Sequence, residues 1–340
     1  MPNAKVAAFG EVMMRLAVPG CELLTQANTL NYSFSGTGVN VAAALTRLGH
    51  TGYMVSRLPA NPVGDAAASS LGKLGIHPAF LKRGGQYMGM YFLESGFGTR
   101  PSRVTYSNRL ESSFNTAPAG EYDVDSIART VKLVHFCGIT LAMNDGVRQH
   151  MQVLAKAVKA AGGTVVFDCN YRPSLWGDNG YEKARPHYEA MLQLADIVMM
   201  NEKDAMYTLG MIPASREGRE EQLRELIPAV AAQYDIAVIA GTHRSIQGNN
   251  THSLRGFMYK ERVFTFSRTL NFAVYDRIGA GDAYTSGIIH GELNGFPPET
   301  TVGFAAAAGM LAHTIAGDTP MSSEQEIRRA MTEAVGDVER

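Results

Sequence analysis

The sequence predicts an α/β protein built on a mainly parallel sheet with helices on both of its faces. Three observations lead there. Short apolar runs recur along the chain, separated by stretches with helical periodicity. The runs are nearly continuous in their hydrophobicity instead of alternating, which is the pattern of strands buried on both faces. Regular alternation of the two types reads as βαβ units.

In chain order, strands are expected at residues 6–9, 53–56, 133–137, 164–167, 197–200 and 236–239, with another at 272–275 that leads into a glycine turn. Helices are expected at 39–48, 147–161, 188–194, 220–233, 283–293 and 324–335. Two regions break the pattern. Residues 16–34 mix polar turn residues with isolated apolar ones. Residues 87–106 hold Met90-Tyr91-Phe92-Leu93-Glu94 and Arg103-Val104-Thr105-Tyr106 on either side of Gly96-Phe97-Gly98, the signature of an antiparallel hairpin. Such strands do not join a parallel core easily, and a small lid beside the main sheet is expected. No internal repeat, charge block or low-complexity linker interrupts the chain.

With 340 residues, 45% of them hydrophobic and 19% charged, the chain has the means for a sizeable core. The formal net charge of -1 argues against a general nucleic-acid binder. Cys21, Cys137 and Cys169 are widely spaced, odd in number and form no CxxC pair, so neither a disulfide framework nor a thiolate zinc site is indicated. Cys137 and Cys169 lie in apolar runs and read as small buried hydrophobes. The first apolar run is short and flanked by Lys5, Glu11 and Arg15, unlike a signal peptide. No apolar stretch approaches the roughly 18 residues of a membrane span. A cytoplasmic protein with no membrane or nucleic-acid partner is expected.

The most informative stretch is Asp276-Arg277-Ile278-Gly279-Ala280-Gly281-Asp282, between a strand and the helix that begins Ala283-Tyr284-Thr285. Two glycines permit a sharp turn that aims successive N–H groups at one point. The first turn of a helix adds unpaired donors and the positive end of its dipole. Such a site suits a phosphoryl group in transfer. Asp282 at its mouth could take a proton from an attacking hydroxyl. On residues alone, a plain helix N-cap explains Asp282 equally well. A second segment, Ser35-Gly36-Thr37-Gly38-Val39-Asn40, leads into an apolar helix with Gly36 allowing close approach of a ligand and the Asn40 amide able to meet sugar hydroxyls. Its bland reading is a flexible turn before a buried helix. Rival phosphate motifs are absent: there is no GxxxxGK[ST], the first strand ends in Phe9-Gly10-Glu11-Val12 instead of GxGxxG, and no HExxH occurs among the nine histidines, none of which is assigned to a metal.

Together these segments resemble the ribokinase-like (PfkB) carbohydrate kinases, which carry a Gly-Gly-x-x-x-Asn-like segment near the N-terminus and Asp-x-x-Gly-Ala-Gly-Asp near the C-terminus. The resemblance runs from Phe9-Gly10-Glu11 to Phe304-Ala305-Ala306-Ala307-Ala308, with Ser35 in place of the usual first glycine. It implies a Rossmann-like α/β/α sandwich with a mainly parallel sheet and a small β-sheet lid. Residues 1–340 would then form a single kinase domain, its lid strands drawn from about 12–35 and 87–110. It further implies that Asp282 is the base and that the N–H groups of Gly279, Ala280, Gly281 and Asp282 form an anion hole. ATP would arrive with Mg²⁺, and a monovalent cation is left open. Asn201-Glu202-Lys203-Asp204 resembles the family's Asn-x-x-Glu motif, with Asp204 in place of Glu; no residue is assigned to bind the metal directly, and Asp204 could reach it through water. Asn170, Asn201 and the segment Gly241-Thr242-His243-Arg244-Ser245 would meet the nucleotide, with Ala305 and Ala308 lining the adenine pocket. Because lids of this family often meet across an interface, a homo-oligomer, dimeric or larger, is implied.

Within the family the chain is most similar to 2-keto-3-deoxygluconate kinases, through Gly89-Met90-Tyr91-Phe92-Leu93-Glu94, Arg100-Pro101-Ser102-Arg103-Val104-Thr105-Tyr106, Gly138-Ile139-Thr140 and Asp168-Cys169-Asn170-Tyr171-Arg172-Pro173-Ser174-Leu175-Trp176. This implies substrate contacts at Gly36, Asn40, Tyr91, Tyr106, Arg109 and Arg172. An arginine suits a sugar acid because a guanidinium grips a carboxylate with two parallel hydrogen bonds. One departure bears on the substrate. The family has Tyr-x-Arg on the lid strand, whereas Tyr106-Ser107-Asn108-Arg109 shifts the arginine by one position, which turns a strand residue to the other face unless a bulge absorbs it. Asn108 and Arg109 are thus alternative candidates. Transfer to the 6-hydroxyl of 2-keto-3-deoxygluconate is expected first, with a fructokinase-like neutral-sugar kinase second and a non-catalytic sugar-binding regulator third.

Overall fold

The computed structural model describes residues 3–214, 218–247 and 251–332. Its strands, in chain order, are β1 (Lys5–Phe9), β2 (Met13–Ala17), β3 (Asn31–Ser35), β4 (Thr51–Leu58), β5 (Leu81–Arg83), β6 (Met90–Glu94), β7 (Arg103–Ser107), β8 (Leu133–Cys137), β9 (Thr164–Asp168), β10 (Ile197–Met199), β11 (Val238–Ile246), β12 (Thr251–Lys260), β13 (Val263–Phe266) and β14 (Leu270–Ala273). The helices are α1 (Thr37–Arg47), α2 (Pro62–Lys73), α3 (Val124–Thr130), α4 (Asp145–Ala160), α5 (Pro173–Trp176), α6 (Gly180–Leu192), α7 (Arg219–Tyr234), α8 (Ala280–Asn294), α9 (Pro298–Ala312) and α10 (Glu324–Ala330).

The apolar runs assemble into a sheet ordered β13-β12-β11-β10-β9-β8-β1-β4-β5. Neighbours from β11 to β5 are parallel, while β12 pairs antiparallel with β11, β13 and β14. Continuous hydrophobicity has the expected cause: all five residues of β8 are buried. Alternate residues feed opposite cores. Phe9, Phe136 and Phe167 pack with Leu154 of α4, Tyr188 of α6 and Ile227 of α7. Val6, Leu133 and Val166 pack with Leu45 of α1, Ile288 of α8 and Ala305 of α9. His135 in β8 is wholly buried, and burial pushes its pKa down to about 3, so it is a neutral core residue.

The second sheet runs β3-β2-β6-β7. The hairpin around residues 96–98 forms as β6 and β7, antiparallel, while β2 and β6 lie parallel. Register sets Arg15 opposite Tyr91 and Tyr91 opposite Tyr106, so the three stand in one row on one face.

Three expectations need correction. The strand expected at 236–239 starts at Val238 and continues to Ile246, because β12 supplies partners well beyond the apolar run. The segment 241–245 therefore lies inside β11 and does not follow it. The helix expected at 188–194 begins at Gly180, its start hidden by a polar first half containing Pro186. The strand expected at 272–275 is β14, two residues earlier. Residues 333–335 of the last expected helix lie outside the described residues. Among the described residues, no helix is long and apolar enough to cross a membrane.

Candidate active site

From β1 the sheet grows in both directions, to β4 on one side and β8 on the other. Ligands of open α/β sheets settle beyond the strand carboxyl ends at such a switch point. A cleft of about 540 Å³ opens there, lined by Ile139 beyond β8, Asp168, Asn170 and Arg172 at and beyond β9, Met13, Tyr91, Val104 and Tyr106 of the lid, and Gly36, Thr37 and Asn40 at the start of α1. Arg244, Arg277, Ile278, Gly279, Gly281, Asp282 and Asp318 complete the lining.

The glycine turn forms as its residues require. Gly279 caps α8 at φ 81°, and a Cβ there would stand 1.7 Å from the Asp318 carbonyl oxygen. Only glycine satisfies both constraints. Asp282 falls within the first turn of α8 and is not its cap; no side chain caps this helix. The plain N-cap reading of Asp282 is thereby removed. Its Oδ2 instead accepts from Nδ2 of Asn40 at 2.7 Å. The first intrahelical bond runs from Ala283 N–H to the Gly279 carbonyl, so the N–H groups just before it are left for a ligand. Burial pushes the Asp282 pKa well up; Asp168 and Asp318 add to the shift, and Asn40 and Arg172 oppose it. Burial likewise lifts Asp168 to about 7, opposed by Arg172 and reinforced by Asp204.

Lid and core meet at Asp318. Ser35 Oγ donates to its Oδ2 at 2.8 Å, the Tyr91 hydroxyl donates to the same oxygen, and Arg15 pairs with Oδ1. Arg15 also lies 3.3 Å from Asp276, whose Oδ1 accepts from Ile278 N–H at 3.1 Å. Arg172 is exposed, its guanidinium donates to the carbonyl of Tyr171 beside it, and it makes no ion pair among the described residues.

The structure brings Gly36, Asn40, Tyr91, Tyr106, Asn170, Arg172, Arg244, Gly279, Gly281 and Asp282 to this one cleft. Several of them are engaged otherwise than expected. Gly36 is required because a Cβ would lie 2.4 Å from the Glu11 carbonyl oxygen. Both ends of the Asn40 amide have protein partners, since its Oδ1 accepts from Thr319 at 3.2 Å. Other expected residues stand apart from the lining. β7 ends at Ser107; Asn108 turns at φ 51° and is exposed, and Arg109 folds back to Glu11 at 2.8 Å with its guanidinium 4.7 Å above the Tyr106 ring. Strand parity therefore never applies to these two residues. Asn201 is tied into its own turn with Lys203 and Asp204. Gly241 and Thr242 are ladder residues of β11, and a Cβ on Gly241 would meet Met200 O at 2.3 Å. Ala305 is wholly buried, 2.5 Å from where Gly287 would carry a Cβ, so it serves helix contact between α8 and α9. Ala308 is buried in the cluster with Ala283 and Phe304, and Ala280 shares that cluster.

Sequence reasoning missed Asp168, Arg277, Asp276, Arg15 and Asp318 as site residues. The first three stood inside segments already singled out, whereas Arg15 and Asp318 belong to no motif and meet only through the fold. Among the described residues, no group of three or more His, Cys, Asp and Glu side chains could hold a metal ion. The donors present fit a cation that arrives on phosphates and takes one or two carboxylates, as Mg²⁺ does.

The sequence model of the pfkB family carbohydrate kinases matches residues 3–325. The chain belongs to this family and is a carbohydrate kinase. A solved structure from Enterococcus faecalis, proposed to be a 2-keto-3-deoxygluconate kinase, is 38% identical with a TM-score of 0.95, covering 99% of each chain. The 2-dehydro-3-deoxygluconokinase of Thermotoga maritima is 32% identical with a TM-score of 0.91, over 97% of this chain and 99% of that one. The 2-dehydro-3-deoxygalactonokinase of Haloferax volcanii is 28% identical over 97% of both chains.

Proposed function

We propose that this pfkB-family chain transfers the γ-phosphoryl group of ATP to the 6-hydroxyl of 2-keto-3-deoxygluconate, with Asp282 as general base. The observation that carries the reading is Asp282 itself: a buried carboxylate held by Asn40, in the first turn of a helix whose leading N–H groups open on the cleft. The hydroxyl proton passes to the Asp282 carboxylate as the oxygen forms its bond to phosphorus. The bond from that phosphorus to the bridging oxygen breaks, and ADP leaves. N–H groups of residues 279–282 meet the oxygens of the transferred group, where charge redistributes in the transition state. Asp204 would be the carboxylate to reach, through water, an Mg²⁺ that comes with the phosphates and would supply charge neutralisation and alignment.

A sugar acid is favoured by the names of the similar kinases and by Arg172, a cleft arginine that makes no direct ion pair among the described residues. Its guanidinium would receive the substrate carboxylate. Arg244, also in the cleft, would meet the nucleotide phosphates with Asn170. One observation favours a second reading, a neutral-sugar acceptor: Arg109 is engaged by Glu11 and offers the pocket no lid guanidinium. ADP release with Mg²⁺-ATP, measured across 2-keto-3-deoxygluconate, 2-keto-3-deoxygalactonate, fructose and ribose, separates the two. Preference for a keto-deoxy acid supports the first reading, and the better of the two acids fixes the epimer. Preference for fructose or ribose overturns the acid pocket and leaves the kinase.

A further inference from the structure

Three of the four lid strands reach one core carboxylate. Asp318 receives Arg15 from β2, Ser35 from β3 and Tyr91 from β6. Arg15 has a second acid within reach, Asp276 at 3.3 Å. Asp276 in turn accepts from the N–H groups of Ile278 at 3.1 Å and Gly317 at 3.3 Å, and so ties the turn that opens α8 to the segment carrying Asp318. The arrangement is internal: Arg15 and Asp318 side chains are 7% and 4% exposed. Two carboxylates thus share one guanidinium beside the cleft, and Arg15 itself does not line it.

We propose that Arg15 is a positioning residue for phosphoryl transfer, neutralising Asp318 next to the base Asp282 and, through Asp276, fixing the turn whose N–H groups face the transferred group. The inference rests on the reading of Asp282 as base. Arg15 faces Asp318, Tyr91 and Asp276. Asp282 faces Asn40 from α1, Cys137 from β8, Asp168 and Arg172 from β9 and the segment after it, and Asp318 from the segment after α9. Arg244 and Arg277 share the same cleft. Without Arg15 the negative charge of Asp318 is unopposed and holds the proton on Asp282 more tightly. Because the base must be ionised, the acid limb of the rate profile moves to higher pH.

The test is kcat and kcat/KM against pH, with thermal melts, for the wild type, Arg15→Gln, Arg15→Lys, Asp318→Asn and the double variant Arg15→Gln/Asp318→Asn, using the acceptor that the wild type turns over. Arg15→Gln is expected to lower neutral-pH kcat about tenfold and to raise the acid limb by about one pH unit, with KM for ATP within about twofold. Arg15→Lys keeps the charge but does not span both acids, so kcat falls and the limb stays. The double variant returns the limb toward the wild-type position. Should Arg15→Gln fail to fold, Asp318→Asn decides: a limb displaced to lower pH supports the coupling, and an unmoved limb overturns it. A lower kcat with a wild-type limb and a lower melting temperature in Arg15→Gln reduces Arg15 to a structural tie and overturns the proposal. A wild-type profile with no acid limb, or a limb that survives Asp282→Asn, overturns the base assignment and this proposal together. A normal wild-type limb that Arg15→Gln leaves in place overturns the role of Arg15 alone.

Discussion

Asn40 and Asp282, 242 positions apart in sequence, are joined by a 2.7 Å hydrogen bond from the amide to the carboxylate. It links the first turns of α1 and α8, orients the buried carboxylate and favours its charged form against the cost of burial.

Replacing Asn40 should therefore change when Asp282 ionises. In Asn40→Ala the carboxylate loses its donor, its pKa rises further, and the ionised base appears only at higher pH. The acid limb of kcat/KM should move up, with neutral-pH turnover down about tenfold. A profile identical to the wild type would show that this bond does not tune the base.

The two glycines of the turn should behave differently. Gly279→Ala places a Cβ 1.7 Å from the Asp318 carbonyl at φ 81°, so the turn and the Asp318 segment must separate. The backbone alone costs about 1–2 kcal/mol, and displacement near the reacting groups should lower turnover about a hundredfold. Gly281→Ala meets nothing within 4 Å. It should melt like the wild type yet lose turnover, because its methyl group enters the cleft. Equal melting temperatures for both variants would contradict this contrast.

Arg109 is predicted to act on stability and not on substrate choice. Arg109→Leu leaves Glu11 buried without its ion-pair partner, a loss of about 3–5 kcal/mol. Burial already raises the Glu11 pKa despite Arg109. A carboxyl group raised in this way favours folding while it is protonated and opposes it as pH rises through the folded-state pKa. Without Arg109 that pKa climbs further, so the loss in melting temperature should be large at neutral pH and shrink on acidification. A changed ratio of acid to neutral-sugar turnover, with stability intact, would return Arg109 to the substrate pocket.

Arg172→Ala should lower kcat/KM for a keto-deoxy acid about tenfold or more, while sparing any turnover of fructose or ribose. An equal loss on both would point to the nucleotide phosphates as its partner.

Much of this was legible in the sequence for identifiable reasons. Strands such as β8 announce themselves because burial on both faces favours a nearly continuous apolar run, with the neutral His135 as its one polar member. The glycine turn was legible because Gly279 has no substitute at its φ and its distance from Asp318. α9 was not anticipated as an element, since a helix buried nearly all round shows no amphipathic stripe. β12 and β13 were missed because their polar and aromatic residues serve an antiparallel edge and not the apolar centre. Within the site, motif residues were found and contacts across the fold were not: nothing local in Arg15 or Asp318 tells that they meet, 303 positions apart. The choice between Asn108 and Arg109 was not legible, because strand parity carries no information past Ser107, where the strand ends.

The most direct test of the base assignment is Asp282→Asn, measured at once for ADP release and for calorimetric binding of Mg²⁺-ATP. Asparagine has nearly the same shape, and the buried acid gains nothing in stability from its charge, so the fold should melt no lower than the wild type. The expected result is turnover down by roughly a thousandfold or more with ATP affinity nearly unchanged. Near-normal turnover would contradict the role of Asp282, and so would a loss of ATP binding in parallel with activity.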